Sequence, residues 1–485
     1  MNQNLVRYLP LGALFLAISL FIKLKYLYLI FDQYEQIPLV FRALNPAYLM
    51  NDWYVNANSG ISVRFFYTMF VSGFVQFISL QDTMFLLFVV SIFATGFLVY
   101  YIAMELFDNP VIGVLSSILM LFAPDISLGG NVGVMFYTIP QTICFPIVLL
   151  GFLLFLKNKR IEAFIVLGAA TYLEPLWGIQ GALILLIIVG LRDLIEIVPL
   201  TIVYSVVSAP VLVISAYVSH LNSPEIISTI LIRHPHHYLP FRFPIRAWII
   251  FVSFCILFFI ALWFARDRKT IVPQIFAIVI FFCTLGTIFV EIFPVSTVIK
   301  LQLFKATLFV VVFGIIYVSN MIVKLLALPK ISVPKRIVII VLIAAFGLGS
   351  IAVLSTNREP VLSGNTVMYQ WIGANTQEDA IFLIPPNMQD FRVKANRGVV
   401  FDLKPFPFRD EAILEYRERA DDVTNNRFYL PLTVTQTDDG YRSLTELQIV
   451  KIANKYNATY AISFAQGKYQ LNQVYSDEKY CIYRM

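Results

Sequence analysis

The sequence predicts a polytopic α-helical membrane protein with a C-terminal α/β domain. Three observations predict it. Apolar runs of 18 or more residues recur up to about residue 354, the length a helix needs to cross a hydrocarbon core about 30 Å thick. Only 14% of the 485 residues are charged and 59% are hydrophobic, whereas ordinary soluble domains are about 25% charged. The composition then shifts at Thr356, beyond which Pro, Asp, Asn and Arg become frequent. The expected partition is a transmembrane domain over residues 1–355 and a soluble domain over 356–485.

The first helix is expected over residues 8–31, a run too long for a cleavable signal. Lys23 and Lys25 fall inside it; such lysines snorkel to an interface or face a lipid phosphate. Residues 32–82 form a first outer loop, with a short interfacial helix expected around 38–49. The aromatic stretch 65–80 (FFYTMFVSGFVQFISL) reads as a second interfacial helix and not as a span. Charge asymmetry decides that point, since Lys and Arg gather in cytoplasmic loops. Spans then follow over 83–106 and 110–123, and from 140 to the basic loop 157–160. A hairpin of two comes next, with Glu174 outside and Arg192 inside, then a span over 199–218. The next ends at Arg266, another covers 271–290, one returns to the basic stretch 324–336, and the last covers 337–354.

This makes about eleven spans. The N-terminus and the basic loops 157–160, 266–269 and 324–336 fall in the cytoplasm, and the C-terminal domain is extracytoplasmic. The net charge of +6 is spread over short loops. That pattern marks topology, and nucleic acid is not an expected partner. Cys144, Cys255, Cys283 and Cys481 show no metal or CxxC spacing.

Beyond Thr356, VMYQWIGANT reads as a helix, AIFLIPP and GVVFDL as strands, and DEAILEYRERADDV as an amphipathic helix. SLTELQIVKIANKY reads as a helix capped by Ser443 with Glu446 three residues on. TYAISF and YCIYRM close the chain as strands. This alternation suggests a small α/β domain. It contains no His, no Gly-rich phosphate loop and no GxSxG.

Few stretches of the apolar region are as rich in ionisable groups as the loop from Asp32 to Arg64, with Asp32, Glu35, Asp52, Arg42 and Arg64. Sugar transfer from a lipid phosphate needs a carboxylate base and cationic groups for the leaving phosphate. Arginine suits phosphate because its planar fork meets two oxygens. Asp32 is expected at the outer end of the first helix, with Glu35 one turn on and Asp52 about twenty residues later. The rival reading of Asp32 is a plain interface charge. Asp125 heads the loop after the third span, where a helix cap is the rival reading, and Glu174 sits in YLEPLWG. RHPHHYLPFRFPIR holds Arg233, His236, His237 and Arg242. It reads as a phosphate- or acceptor-binding loop or as a headgroup contact, since H-x-H-H is no familiar zinc spacing. Lys305, in an apolar run, would neutralise a leaving phosphate or snorkel.

These features resemble the GT-C superfamily of polytopic glycosyltransferases, among its uncharacterised prokaryotic members. The resemblance rests on Asp32 with Glu35 after the first helix, the outer loop with juxtamembrane helices and Asp52, the eleven-span hydropathy, and the C-terminal domain. It implies transfer of a sugar from a polyprenyl-phosphate-linked donor to a glycan, lipid or protein acceptor at the outer face of a prokaryotic plasma membrane. It implies an inverting mechanism, with Asp32 as base, Glu35 and Asp52 beside it, and the remaining residues binding substrate. The leaving phosphate needs cationic groups, a metal, or both; Asp32, Asp52 and Asp125 are the candidate ligands should a divalent cation, Mg or Mn, take part. The sequence departs from the family in two places: Asp32 is followed by Gln33 in place of a second acid, and no WWD-type motif is present. The rival readings are a transporter or flippase of lipid-linked sugars and a non-catalytic subunit of envelope glycan assembly.

Overall fold

The computed structural model describes residues 3–123, 125–221, 223–266, 270–327, 365–464 and 469–485. The expected basic loops 266–269 and 324–336 lie largely outside these residues, and the expected last span, 337–354, lies wholly outside them. Within the described residues the chain divides into two compact units.

One unit is drawn from Met1–Leu27, Met84–Leu212 and Pro235–Arg358. Among the described residues of both units, five helices are long and apolar enough to cross a membrane: Leu80–Phe107, Leu194–Val218, Ile245–Ala265, Val272–Ile292 and Ser296–Ala327. At 1.5 Å per residue the shortest, of 21 residues, reaches about 31 Å. Pro110–Phe122, Pro140–Leu156 and Pro175–Gly190 are apolar but shorter. Each of these three starts on proline, whose missing N–H and fixed φ suit a first helical turn.

Ser296–Ala327 is the centre of this unit, with 83% of its apolar window buried. Phe309 and Phe313 meet Phe152 at 4.9 and 5.7 Å, and Tyr317 meets Phe107 and Phe258. Gly314 admits the Phe254 ring, which would lie 2.6 Å from a β-carbon there. Such small residues let apolar helices approach closely where no water drives them together.

Of the eleven expected spans, five coincide with described helices of spanning length, and two of the expected helices differ in their course. The first helix is Gln3–Lys25 and not 8–31, so Lys23 and Lys25 occupy its last turn, where cations favour the helix dipole. The Ser296–Ala327 span is interrupted: Ser296–Leu301 ends at Gln302 in a left-handed conformation (φ 46°), and a 3₁₀ turn, Leu303–Ala306, precedes Thr307–Ala327.

The other unit is drawn from Tyr28–Thr83, Val213–His234 and Glu359–Met485. The segment read as a loop of the membrane part therefore shares a core with the C-terminal part. Its helices are Gln33–Leu44, Trp53–Asn58 and Phe65–Val75. Phe65–Val75 has 11 residues, about 16 Å of helix and roughly half a hydrocarbon core.

The C-terminal part is built on five strands, β1 (Ile381–Leu383), β2 (Gly398–Val399), β3 (Tyr460–Ser463), β4 (Asn472–Ser476) and β5 (Cys481–Arg484). Their order is β2-β1-β3-β5-β4. β1 pairs in parallel with β2 and β3, while β5 pairs antiparallel with β3 and β4. Met368 and Ile372 of helix Thr366–Asn375 cover the sheet with Phe382, Phe391, Ile462 and Ile482.

The expected helices and strands of this part are present, with three additions: β4 and the helices Phe391–Ala395 and Val434–Arg442. The cap of the Glu446–Lys455 helix is Thr445 with Gln448, two residues on from the expected Ser443 and Glu446. Thr445 lies next to the first helical residue, and Ser443 lies too far back to reach its orphan N–H groups.

Candidate functional site

Asp32 follows a strained turn. Leu29 (φ 58°) and Phe31 (φ 46°) are both left-handed, a conformation that costs a side-chain-bearing residue roughly 1–2 kcal/mol. Gln33 over-determines the turn: its Oε1 accepts the N–H groups of Leu29 at 2.6 Å and Ile30 at 3.3 Å. The residue that interrupts the expected acidic pair thus shapes the approach to Asp32. The expectation that the first helix itself holds Asp32 is corrected, because that helix ends at Lys25 and Asp32 precedes Gln33–Leu44 as its N-cap residue. The Asp32 carboxylate makes no capping bond. It meets the Lys404 ammonium.

Glu35 lies in the first turn of the same helix and is buried. Burial pushes its carboxyl up to about 7, against the lowering pull of Arg64, Lys404 and Arg233 and with a further push from Asp32. Tyr54 donates its hydroxyl to the Glu35 carbonyl at 3.1 Å. Arg64 places its guanidinium 4.7 Å from the centre of the Phe408 ring. Arg233 donates from Nε to the Leu403 carbonyl at 2.7 Å and from Nη2 to the Lys404 carbonyl at 3.2 Å. Asp32, Glu35, Arg64 and Arg233 therefore converge electrostatically, joined by Lys404.

Asp52 is fully buried and engaged on both oxygens. Oδ1 caps Trp53–Asn58 by accepting from Val55 N at 2.9 Å. Oδ2 accepts from Arg392 Nε at 2.8 Å and Val399 N at 3.0 Å. Arg392 also pairs through Nη1 with Asp402, and its Nη2 is buried with no hydrogen-bond partner among the described residues. Burial pushes Asp402 up to about 6, against the pull of Arg392. As a ligand for Mg or Mn, Asp52 has its oxygens turned to three N–H donors. Asp32 is charge-balanced by Lys404, and Asp125 is an exposed residue of the other unit. This donor set does not fit the expected divalent cation.

Arg42 serves its own loop, donating to the Tyr48 carbonyl at 2.8 Å and to Asn56 Oδ1 at 2.9 Å. Glu174, His236, His237, Arg242 and Lys305 belong to the other unit. There Lys305 and Glu174 form a buried pair at 3.1 Å. Glu174 precedes helix Pro175–Gly190, and Lys305 lies in the 3₁₀ turn that interrupts the central span. His237 donates from Nδ1 to the Gly129 carbonyl at 2.6 Å, and its ring lies 4.1 Å from that of His236. A β-carbon on Gly130 (φ 65°) would lie 2.9 Å from the His237 ring, so only glycine fits. Arg242 is exposed.

Lys404, Arg392 and Asp402 were not legible as site residues. They sit in a segment that reads locally as strand and loop, and nothing in the residue pattern ties them to acids some 340 positions earlier.

The class of protein is thus a mostly helical chain, five of whose described helices are fit to cross a membrane, with a C-terminal part on a five-stranded mixed sheet. Residues 366–423 match a family described as a domain of unknown function, DUF6798. The matched stretch includes Arg392, Asp402 and Lys404. No curated protein matches the chain.

Proposed function

We propose that this chain is a membrane glycosyltransferase of GT-C type, with Asp32 as the base. It moves a sugar from a polyprenyl-phosphate-linked donor to an acceptor hydroxyl at the outer membrane face. The observation that carries the reading is a part-exposed Asp32 on a strained turn, grouped with Glu35, Arg64 and Arg233. Strain held at a charged turn is characteristic of functional positions. In the reaction, Asp32 takes the proton of the acceptor hydroxyl as its oxygen bonds to the anomeric carbon. The anomeric C–O bond to phosphate breaks on the opposite face, and the phosphate leaves with the electron pair. Arg64 and Arg233 supply positive charge for that leaving group.

Purified protein in lipid nanodiscs, given a polyprenyl-phosphate sugar and an acceptor extract, should transfer the sugar with inverted anomeric configuration. Asp32→Asn should lower the rate at least a thousandfold while the protein stays monodisperse. Full transfer by that variant would overturn the assignment.

One observation favours the transporter reading. The most buried of the five spans is broken at Gln302 and there carries Lys305 of the buried Glu174–Lys305 pair, as discontinuous helices of transporters carry charged groups. Movement of lipid-linked sugar across proteoliposomes without transfer, lost in Glu174→Gln, would establish that reading instead.

A further inference from the structure

We propose that Lys404 is a phosphate-binding residue of the Asp32 site, and that Arg392 is its positioning residue. The proposal rests on the substrate class named above, a phosphate-bearing lipid, and not on catalysis. The Lys404 ammonium is part-exposed, and its backbone is tied on both sides. Its N–H donates to Asp402 Oδ1 at 3.0 Å, and its carbonyl accepts from Arg233 Nη2. The preceding carbonyl, of Leu403, accepts from Arg233 Nε and from the Tyr416 hydroxyl at 3.2 Å, while Leu403 N donates to the Pro386 carbonyl at 2.8 Å. Pro405 and Pro407 follow in the sequence KPFPF, with Phe406 buried between them and its ring 4.9 Å from that of Tyr416. Asp402 is in turn tied to Arg392, and Arg392 to Asp52. The chain Asp52–Arg392–Asp402–Lys404–Asp32 thus begins and ends in the loop that carries the base.

At the open end of this chain the Asp32 and Lys404 side chains keep 35% and 19% of their exposure, whereas Asp52, Arg392 and Asp402 keep 1% or less. The outer pair is reachable by a ligand and the inner trio is not. A phosphate that reaches the part-exposed Lys404 ammonium competes with the Asp32 carboxylate for it. That competition gives the proposal a signature with opposite signs: removing the cation weakens phosphate binding, and neutralising the carboxylate strengthens it. A purely structural ion pair predicts neither.

The test measures equilibrium binding of a short-chain polyprenyl phosphate to the full chain in nanodiscs, with inorganic phosphate as competitor. Lys404→Met should weaken binding about tenfold or more, Lys404→Arg should retain it, and Asp32→Asn should tighten it severalfold. Arg392→Lys should weaken it partway, and Arg392→Lys with Lys404→Met should bind no worse than Lys404→Met alone. Competition by inorganic phosphate at concentrations similar to the lipid would assign a free phosphate ligand; competition only at far higher concentrations assigns the lipid. Unchanged affinity in Lys404→Met, or weaker affinity in Asp32→Asn, overturns the proposal. Binding needs no turnover, so failure of sugar transfer with this pattern intact would overturn the transferase reading alone.

Discussion

At the scale of single residues, Glu35 makes an unusual demand on pH. Its carboxyl rises from an ordinary value of about 4.3 to about 7, because burial outweighs its cationic neighbours. Between those values the folded chain holds a proton that the unfolded chain has released. Stability is therefore greatest at the low end of this window and falls as pH rises through it, by an amount on the order of 3 kcal/mol. Asp402, pushed up to about 6, adds a slope of the same sign. Glu35→Gln should remove much of this slope, and its thermal midpoint at pH 8 should exceed that of the unmodified protein. A lower midpoint at pH 8 would contradict the burial argument. Lys404→Met should push Glu35 higher still, since Lys404 is one of the groups that lower it.

At the scale of elements, helix Val434–Arg442 makes one very close backbone approach. A β-carbon on its Gly440 would lie 2.0 Å from the Thr424 carbonyl oxygen and 2.8 Å from the carbonyl carbon. Both are backbone atoms, so no rotamer change relieves the clash. Gly440→Ala should cost at least the 1–3 kcal/mol usual for overpacking. The loss should appear as a lower denaturation midpoint for Tyr441, which donates to the Ile462 carbonyl of β3 at 2.6 Å. An unchanged midpoint would refute the contact. This helix escaped the periodicity reading because it is polar and carries a glycine near its end. β4 escaped because Asn472-Gln-Val-Tyr-Ser is an edge strand with little apolar alternation. The helices around Trp371 and Ile413 were legible, since each buries one apolar face at helical spacing.

At the scale of the whole molecule, the C-terminal part is not an independent body. Its core includes Arg392, whose charge is shared with Asp52 of the first loop. Residues 403 and 404 are held by Arg233, at the end of helix Pro224–Arg233. A polypeptide of residues 359–485 alone loses both partners. Amide exchange over residues 392–404 should accelerate at least tenfold in that fragment relative to the full chain. Equal protection would mean that the part folds alone. Breaking one side of a buried ion pair typically costs 3–5 kcal/mol, which makes this effect large.

The sequence by itself determined the presence of long apolar helices, the α/β character of the C-terminal part, and the concentration of acids and arginines between Asp32 and Arg64. These are local properties: hydropathy, periodicity and composition act within a window of about twenty residues. Only the tertiary structure decided what each charge does. Asp52, by sequence a candidate beside Asp32, is capped, buried and paired. Gln33, by sequence a defect in an acidic motif, turns the chain that presents Asp32. Lys404 joined the site across more than 370 residues. The physical reason is that a charge takes its role from its burial and its counter-ion, and both are set by segments that meet only when the chain folds.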